Sequence, residues 1–125
     1  MIKNFEKETS PLSNYEREEL VPLAVKVLQH CKGKKYALSN KNFLNRWGGG
    51  YRINAARLRK VINHIRNNGL IDGLMASNKG YYIAQTRKEL EDYILSLKGR
   101  EDALTQLRRS IIRQMEKMFP EKEPD

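Results

Sequence analysis

The sequence predicts a mainly helical α+β chain: a small helical domain carrying a short sheet, then one long helix. Three observations predict it. Before residue 70, apolar residues recur at helical spacing in three separate segments. Between Leu70 and Ala84 the pattern changes to two β-rich runs around a polar turn near Ser77–Gly80. From residue 86 onward, a 4-3 apolar repeat sets in and reaches Met118.

Residues 1–12 are polar and aperiodic and read as a flexible arm. Ser13 and Glu16 have the spacing of a capping box. Leu20, Ala24, Val27, Leu28 and Cys31 then form one helical stripe. Pro22 falls inside it, so either the main helix begins near Pro22 or a longer helix bends there. Tyr36–Ser39 reads as a short strand. Ser39 or Asn40 caps a second helix whose apolar residues are Phe43, Leu44 and Trp47, and Gly48-Gly49-Gly50 stops it. Asn54 is a good N-cap for a third helix, and Gly69 a natural residue just past its end. Leu58, Val61, Ile62 and Ile65 lie within roughly 60° of one direction on that helix. Opposite them fall Ala56, Lys60, Asn63, His64 and Asn67, with Arg52 and Arg59 on the flank.

The last helix opens on a second capping box, Thr86 to Glu89. Its seam runs Leu90, Ile94, Leu97, Leu104, Ile111, Met115 and Met118, with Glu101 and Arg108 at two of the repeat positions. Gly99 is a place where it could break, and Pro120 ends it. The expected organisation is therefore an arm over 1–12, a domain over 13–85, an oligomerising helix or coiled coil over 86–119, and a frayed tail over 120–125.

Composition narrows the function classes. The chain has 125 residues, 24 Lys and Arg against 15 Asp and Glu, and a net charge of +9. The charge is unevenly spread. Residues 20–71 carry eleven basic residues and no acidic one, whereas residues 72–125 carry ten of each. Solvated faces normally interleave signs, because mixed pairs relieve repulsion. An acid-free stretch of this length points to a polyanion. It also lacks the carboxylates that general acid/base or metal chemistry needs, so no enzyme activity, metal or cofactor is expected. Cys31 is the single cysteine and lies on an apolar stripe, which argues against a disulfide framework or a multi-cysteine zinc site. No run of 18 apolar residues occurs, and the charged N-terminus lacks the apolar core of a secretory signal. A cytoplasmic chain with no membrane partner is expected.

The predicted order is helix, short strand, short helix, turn, helix, hairpin. That is the order of a winged helix-turn-helix with a two- to three-stranded wing sheet. In such a fold the third helix turns its polar face outward, and a B-DNA major groove admits one helix. Several motifs in this order also resemble small winged-helix DNA-binding proteins of bacterial phages and prophages. They are Leu58-Arg59-Lys60-Val61-Ile62-Asn63-His64-Ile65-Arg66-Asn67-Asn68-Gly69, then Ser77-Asn78-Lys79-Gly80-Tyr81-Tyr82-Ile83-Ala84, then Glu89-Leu90-Glu91-Asp92-Tyr93-Ile94-Leu95-Ser96-Leu97 with Arg100. The likeness spans roughly residues 13–110, and Gly48-Gly49-Gly50 departs from it as a looser turn. It implies a DNA-binding protein of mobile-element origin, active in transcription or replication control and nucleoid-associated in a bacterial host.

The candidate DNA-binding residues are Arg52, Asn54, Arg57, Arg59, Lys60, Asn63, His64, Asn67, Asn78 and Lys79. Lys60, Asn63 and Asn67 are expected at base edges, since Asn suits adenine and Lys or Arg suits guanine. Arg52, Arg57 and Arg59 are expected on phosphates, and Asn78-Lys79 at the backbone or minor groove. The expected partners are double-stranded DNA and a second copy bound through the last helix. The alternative is a winged-helix adaptor whose basic surface meets an acidic protein in a replication or assembly complex.

Overall fold

The computed structural model describes residues 10–122. Most of the expected arm (1–9) and the end of the expected tail (123–125) lie outside the described residues. The chain divides into two compact units, Met1–Arg87 and Lys88–Asp125.

The first unit opens with the expected capping box. The Ser13 N–H donates to Glu16 Oε1 at 2.8 Å, and the Glu16 N–H donates to Ser13 Oγ at 3.2 Å. The helix that follows does not wait for Pro22. A π-helical turn, Glu16–Leu20, runs directly into α1, Val21–Leu28. Pro22 has no N–H to donate to the preceding turn. The wider turn absorbs that loss, with the Val21 N–H reaching back five residues to the Glu16 carbonyl. Leu20, Ala24, Val27, Leu28 and Cys31 all enter the core, as the stripe predicts.

The strand expected over Tyr36–Ser39 does not form: a 3-10 turn, Lys34–Tyr36, takes its first residue and Ala37 closes that turn. Of those four residues only Leu38 pairs with the sheet, through two hydrogen bonds to Tyr81 of 2.9 and 3.0 Å. The turn uses up the residues before Leu38, and Ser39 already caps the next helix by accepting from the Asn42 N–H at 3.2 Å. That helix is α2, Asn40–Trp47, and it buries Phe43.

α3 spans Ala55–Asn67. Asn54 Oδ1 caps it, accepting from the Arg57 N–H at 2.8 Å. At its other end Gly69 takes φ 64° and the Leu70 N–H returns to the Ile65 carbonyl at 3.0 Å, so Gly69 closes the helix as expected. Leu58, Val61, Ile62 and Ile65 are completely buried. Each contributes on the order of 1.5–3 kcal/mol by leaving water.

The sheet has two antiparallel strands, β1 (Leu74–Ser77) and β2 (Gly80–Ile83), joined at Asn78-Lys79. β2 is also tied to the chain after α1, since the Ile83 N–H donates to the Cys31 carbonyl at 2.7 Å. Gly80 makes this seating possible. Its φ is +120°, and a Cβ there would stand 2.3 Å from the Leu38 carbonyl carbon.

The second unit is one element, α4, Arg87–Met118, counted from the last residue of the first. It runs unbroken through Gly99, where an added Cβ would meet nothing within 4 Å beyond the helix's own backbone. The break considered near Gly99–Arg100 does not occur. A single glycine costs about 1 kcal/mol in a helix interior, too little to divide 32 residues. Among the described residues no helix is long and apolar enough to cross a membrane.

Candidate nucleic-acid interface

α3 has two polar flanks, and the fold treats them differently. The flank carrying Arg57 and Lys60 is covered by the π-helical turn. Glu16, 3% exposed, places its carboxylate there. Lys60 Nζ donates to Oε1 at 2.8 Å and Arg57 Nε to Oε2 at 3.0 Å. Burial alone would push the Glu16 carboxyl upward. The hydrogen bonds from Lys60, the Ser13 N–H and Arg57 overcome that and hold its pKa at about 2. Next to it Tyr15 accepts from the Arg52 N–H at 2.9 Å, and the Arg52 guanidinium lies 4.1 Å above its ring.

Lys60 is therefore not a base-reading residue. It is 9% exposed and bound to Glu16. The projection around α3 placed it correctly opposite the core stripe, but could not show that a second element covers that side. Arg57 is half-buried and answers Glu16 and the Arg52 carbonyl, so its charge is largely used inside the molecule. Asn54 is exposed, but its side-chain oxygen is occupied in capping. His64 is half-buried, with Asn68 Nδ2 3.3 Å from its Nδ1.

The other flank stays open. Asn63 and Asn67 are exposed and one turn apart, and Arg59 and Arg66 are half-buried beside them. Ala56, on the same face, adds little bulk. Projected at 100° per residue, these five fall within an arc of roughly 100°. Asn78 and Lys79 are exposed at the hairpin tip, where Ser77 Oγ accepts from the Lys79 N–H at 3.2 Å and steadies the turn. Arg52 is exposed ahead of α3.

A second basic surface lies on α1 and α2. A cleft of about 530 Å³ has an apolar floor that includes Leu23, Val27 and Leu38, and a rim of Lys26, Lys35 and Arg46. Arg46 sits 5.8 Å from the Trp47 ring. Cys31 lines the same cleft, and burial pushes its thiol pKa up, away from a reactive thiolate. Among the described residues no three His, Cys, Asp or Glu side chains stand together as a metal site would need.

No protein-family model, curated protein or solved structure matches the chain. The site therefore rests on its own geometry. Sequence reasoning missed Tyr15 altogether and saw in Glu16 only the partner of Ser13 in a capping box. The one available signal was the i, i+3 spacing of Arg57 and Lys60, two cations on one flank with a capping-box glutamate upstream.

Proposed function

We propose that residues 13–85 form a winged-helix unit that binds double-stranded DNA. In this reading α3 enters the major groove with Asn63 and Asn67 at base edges and Arg59 and Arg66 beside them. Arg52 and the Asn78-Lys79 tip neutralise adjacent phosphates. The observation that carries the proposal is the open flank of α3: two exposed amides one turn apart on a helix whose neighbouring sequence holds no acidic residue from 20 to 71. The ion triad supports it in another way. It neutralises the nearby Glu16 carboxylate and fixes the start of α3 against the π-helical turn that leads into α1. A role in phage or prophage transcription or replication control follows from the motif resemblance. If about four phosphates are engaged, log K falls against log salt with a slope near −4. Fluorescence anisotropy on duplex DNA across a salt series tests this, and a flat response would remove the proposal.

The cleft between α1 and α2 favours a second reading, an adaptor for an acidic protein. Its cationic rim and apolar floor suit an acidic segment bearing an apolar anchor. Capture of a protein partner that survives nuclease treatment, with no duplex-DNA binding, would select this reading over the first.

A further inference from the structure

α4 buries none of its residues, and Ile94 and Leu104 are more than 60% exposed. Nine seam positions run from Leu90 to Met118 at alternating steps of four and three. Seven are apolar. The other two are Glu101 and Arg108, opposite in sign and one heptad apart, so both occupy the same kind of core position as Ile94 and Met115.

We infer that α4 pairs with a second copy of this chain in antiparallel orientation, and that Glu101 and Arg108 set that orientation. The inference rests on reading α4 as a self-pairing helix and does not depend on DNA binding. In a parallel, in-register pair, Glu101 would face Glu101 of the partner and Arg108 would face Arg108 of the partner. Two like-charge layers would sit in the core. In an antiparallel pair, the layers become Ile94 with the partner's Met118, Leu97 with the partner's Met115, Glu101 with the partner's Ile111, and Leu104 with the partner's Arg108. Glu101 and the partner's Arg108 then lie in adjacent layers about 4.5 Å apart along the axis. Both side chains are long enough to meet. Symmetry produces the pair twice. A slip of one heptad that sets Glu101 against the partner's Leu104 also keeps these two charges in adjacent layers, whereas the opposite slip moves them about 15 Å apart, so the charges dictate orientation and disfavour that second register.

A second observation agrees. Residues 87–102 hold four basic and five acidic side chains, whereas residues 103–118 hold four basic and one acidic. Parallel pairing sets the cationic halves together. Antiparallel pairing sets each against the slightly anionic half of the partner. At the centre of the antiparallel seam, Leu107 faces the partner's Leu107 and Thr105 the partner's Thr105, with no like charges opposed. The starts of the two helices would then stand about 57 Å apart, farther than the roughly 34 Å of half-sites one DNA turn apart.

The test uses the full chain with Cys31 in place, since that thiol is buried. Thr105→Cys and Leu97→Cys chains are treated separately with a short bismaleimide. Covalent dimer from Thr105→Cys and none from Leu97→Cys is expected. The reverse result means a parallel pair and overturns the inference. Sedimentation equilibrium then follows Glu101→Arg, Arg108→Glu and the double exchange, with helicity checked by circular dichroism. Each single exchange should weaken dimerisation at least about tenfold, and the double exchange should restore it. Failure of the double exchange to restore it, or a wild-type chain that stays monomeric at high micromolar concentration, overturns the inference as well. DNA binding, measured separately, can survive either failure.

Discussion

The two flanks of α3 are built from similar residues and meet opposite fates. Arg57 and Lys60 lie on one, Arg59, Asn63 and Asn67 on the other. By composition, all five read as ligand-facing polar groups. Yet Lys60 is closed off against Glu16 while Asn63 and Asn67 face solvent. A cation on a helix in a basic protein is thus not automatically offered to a polyanion. What decides is whether another element brings a carboxylate to it. Here the N-terminal segment does so from more than forty residues away in sequence.

The comparison is broken most sharply at Glu16. Replacing it with Ala leaves Lys60 as a buried, unpaired charge, and breaking such a pair costs about 3–5 kcal/mol. Urea unfolding of Glu16→Ala should show a loss of that size, and a loss under 1 kcal/mol would mean the pair is not structural. Gly80→Ala tests the sheet's seating. The added methyl meets the Leu38 backbone at 2.3 Å, so a destabilisation of about 2 kcal/mol or more is expected in thermal melts.

The covered flank also carries a pH signature. The Glu16 pKa is lowered from 4.5 to about 2 in the folded protein. Its contribution is therefore complete above pH 4.5 and is lost as pH falls toward 2. Melts across that range should show wild-type stability falling, and Glu16→Gln should show a shallower fall. Parallel curves would contradict the assignment.

On the open flank, Asn63→Ala with Asn67→Ala should weaken or relax DNA recognition by about 1–3 kcal/mol per lost base contact, while the melting temperature barely moves. The smallest effect belongs to Lys79→Ala at the hairpin tip. It should reduce the salt slope by about 1, uniformly across sequences. An unchanged slope would remove the tip from the interface.

Much of the fold was legible in the sequence because its signals are local. The stripe Leu58-Val61-Ile62-Ile65, the caps at Ser13, Ser39 and Asn54, the closing Gly69 and the hairpin tip at Asn78-Lys79 are all set by residues within a few positions of one another. What was not legible depends on irregular turns that periodicity does not mark and, at Lys60, on a distant segment. The strand expected over Tyr36–Ser39 shrank to one bridging residue because a tight turn consumed its start. The helix boundary near Pro22 moved because a π-helical turn absorbed the missing N–H. Lys60 changed role because Glu16 is brought to it by folding, which helical periodicity around α3 cannot reveal. Of the ten candidate contact residues, Arg52, Asn54, Asn63, Asn67, Asn78 and Lys79 are exposed, Asn54 with its side-chain oxygen taken up in the cap, and Arg59 is half-buried at their edge.

One pair of variants tests the account most directly: Glu16→Gln with Lys60→Met on the covered flank, and Asn63→Ala with Asn67→Ala on the open one. Exchanging a buried ion pair for neutral groups of similar size is often nearly neutral for stability, and the partly exposed Arg57 guanidinium keeps access to water, so both double variants should stay folded. Duplex-DNA affinity at fixed salt is then compared by anisotropy. The account predicts that the first variant binds as the wild type does and the second loses affinity about tenfold or more. Loss of binding in the first with full binding in the second would mean that DNA lies against the other side of the helix.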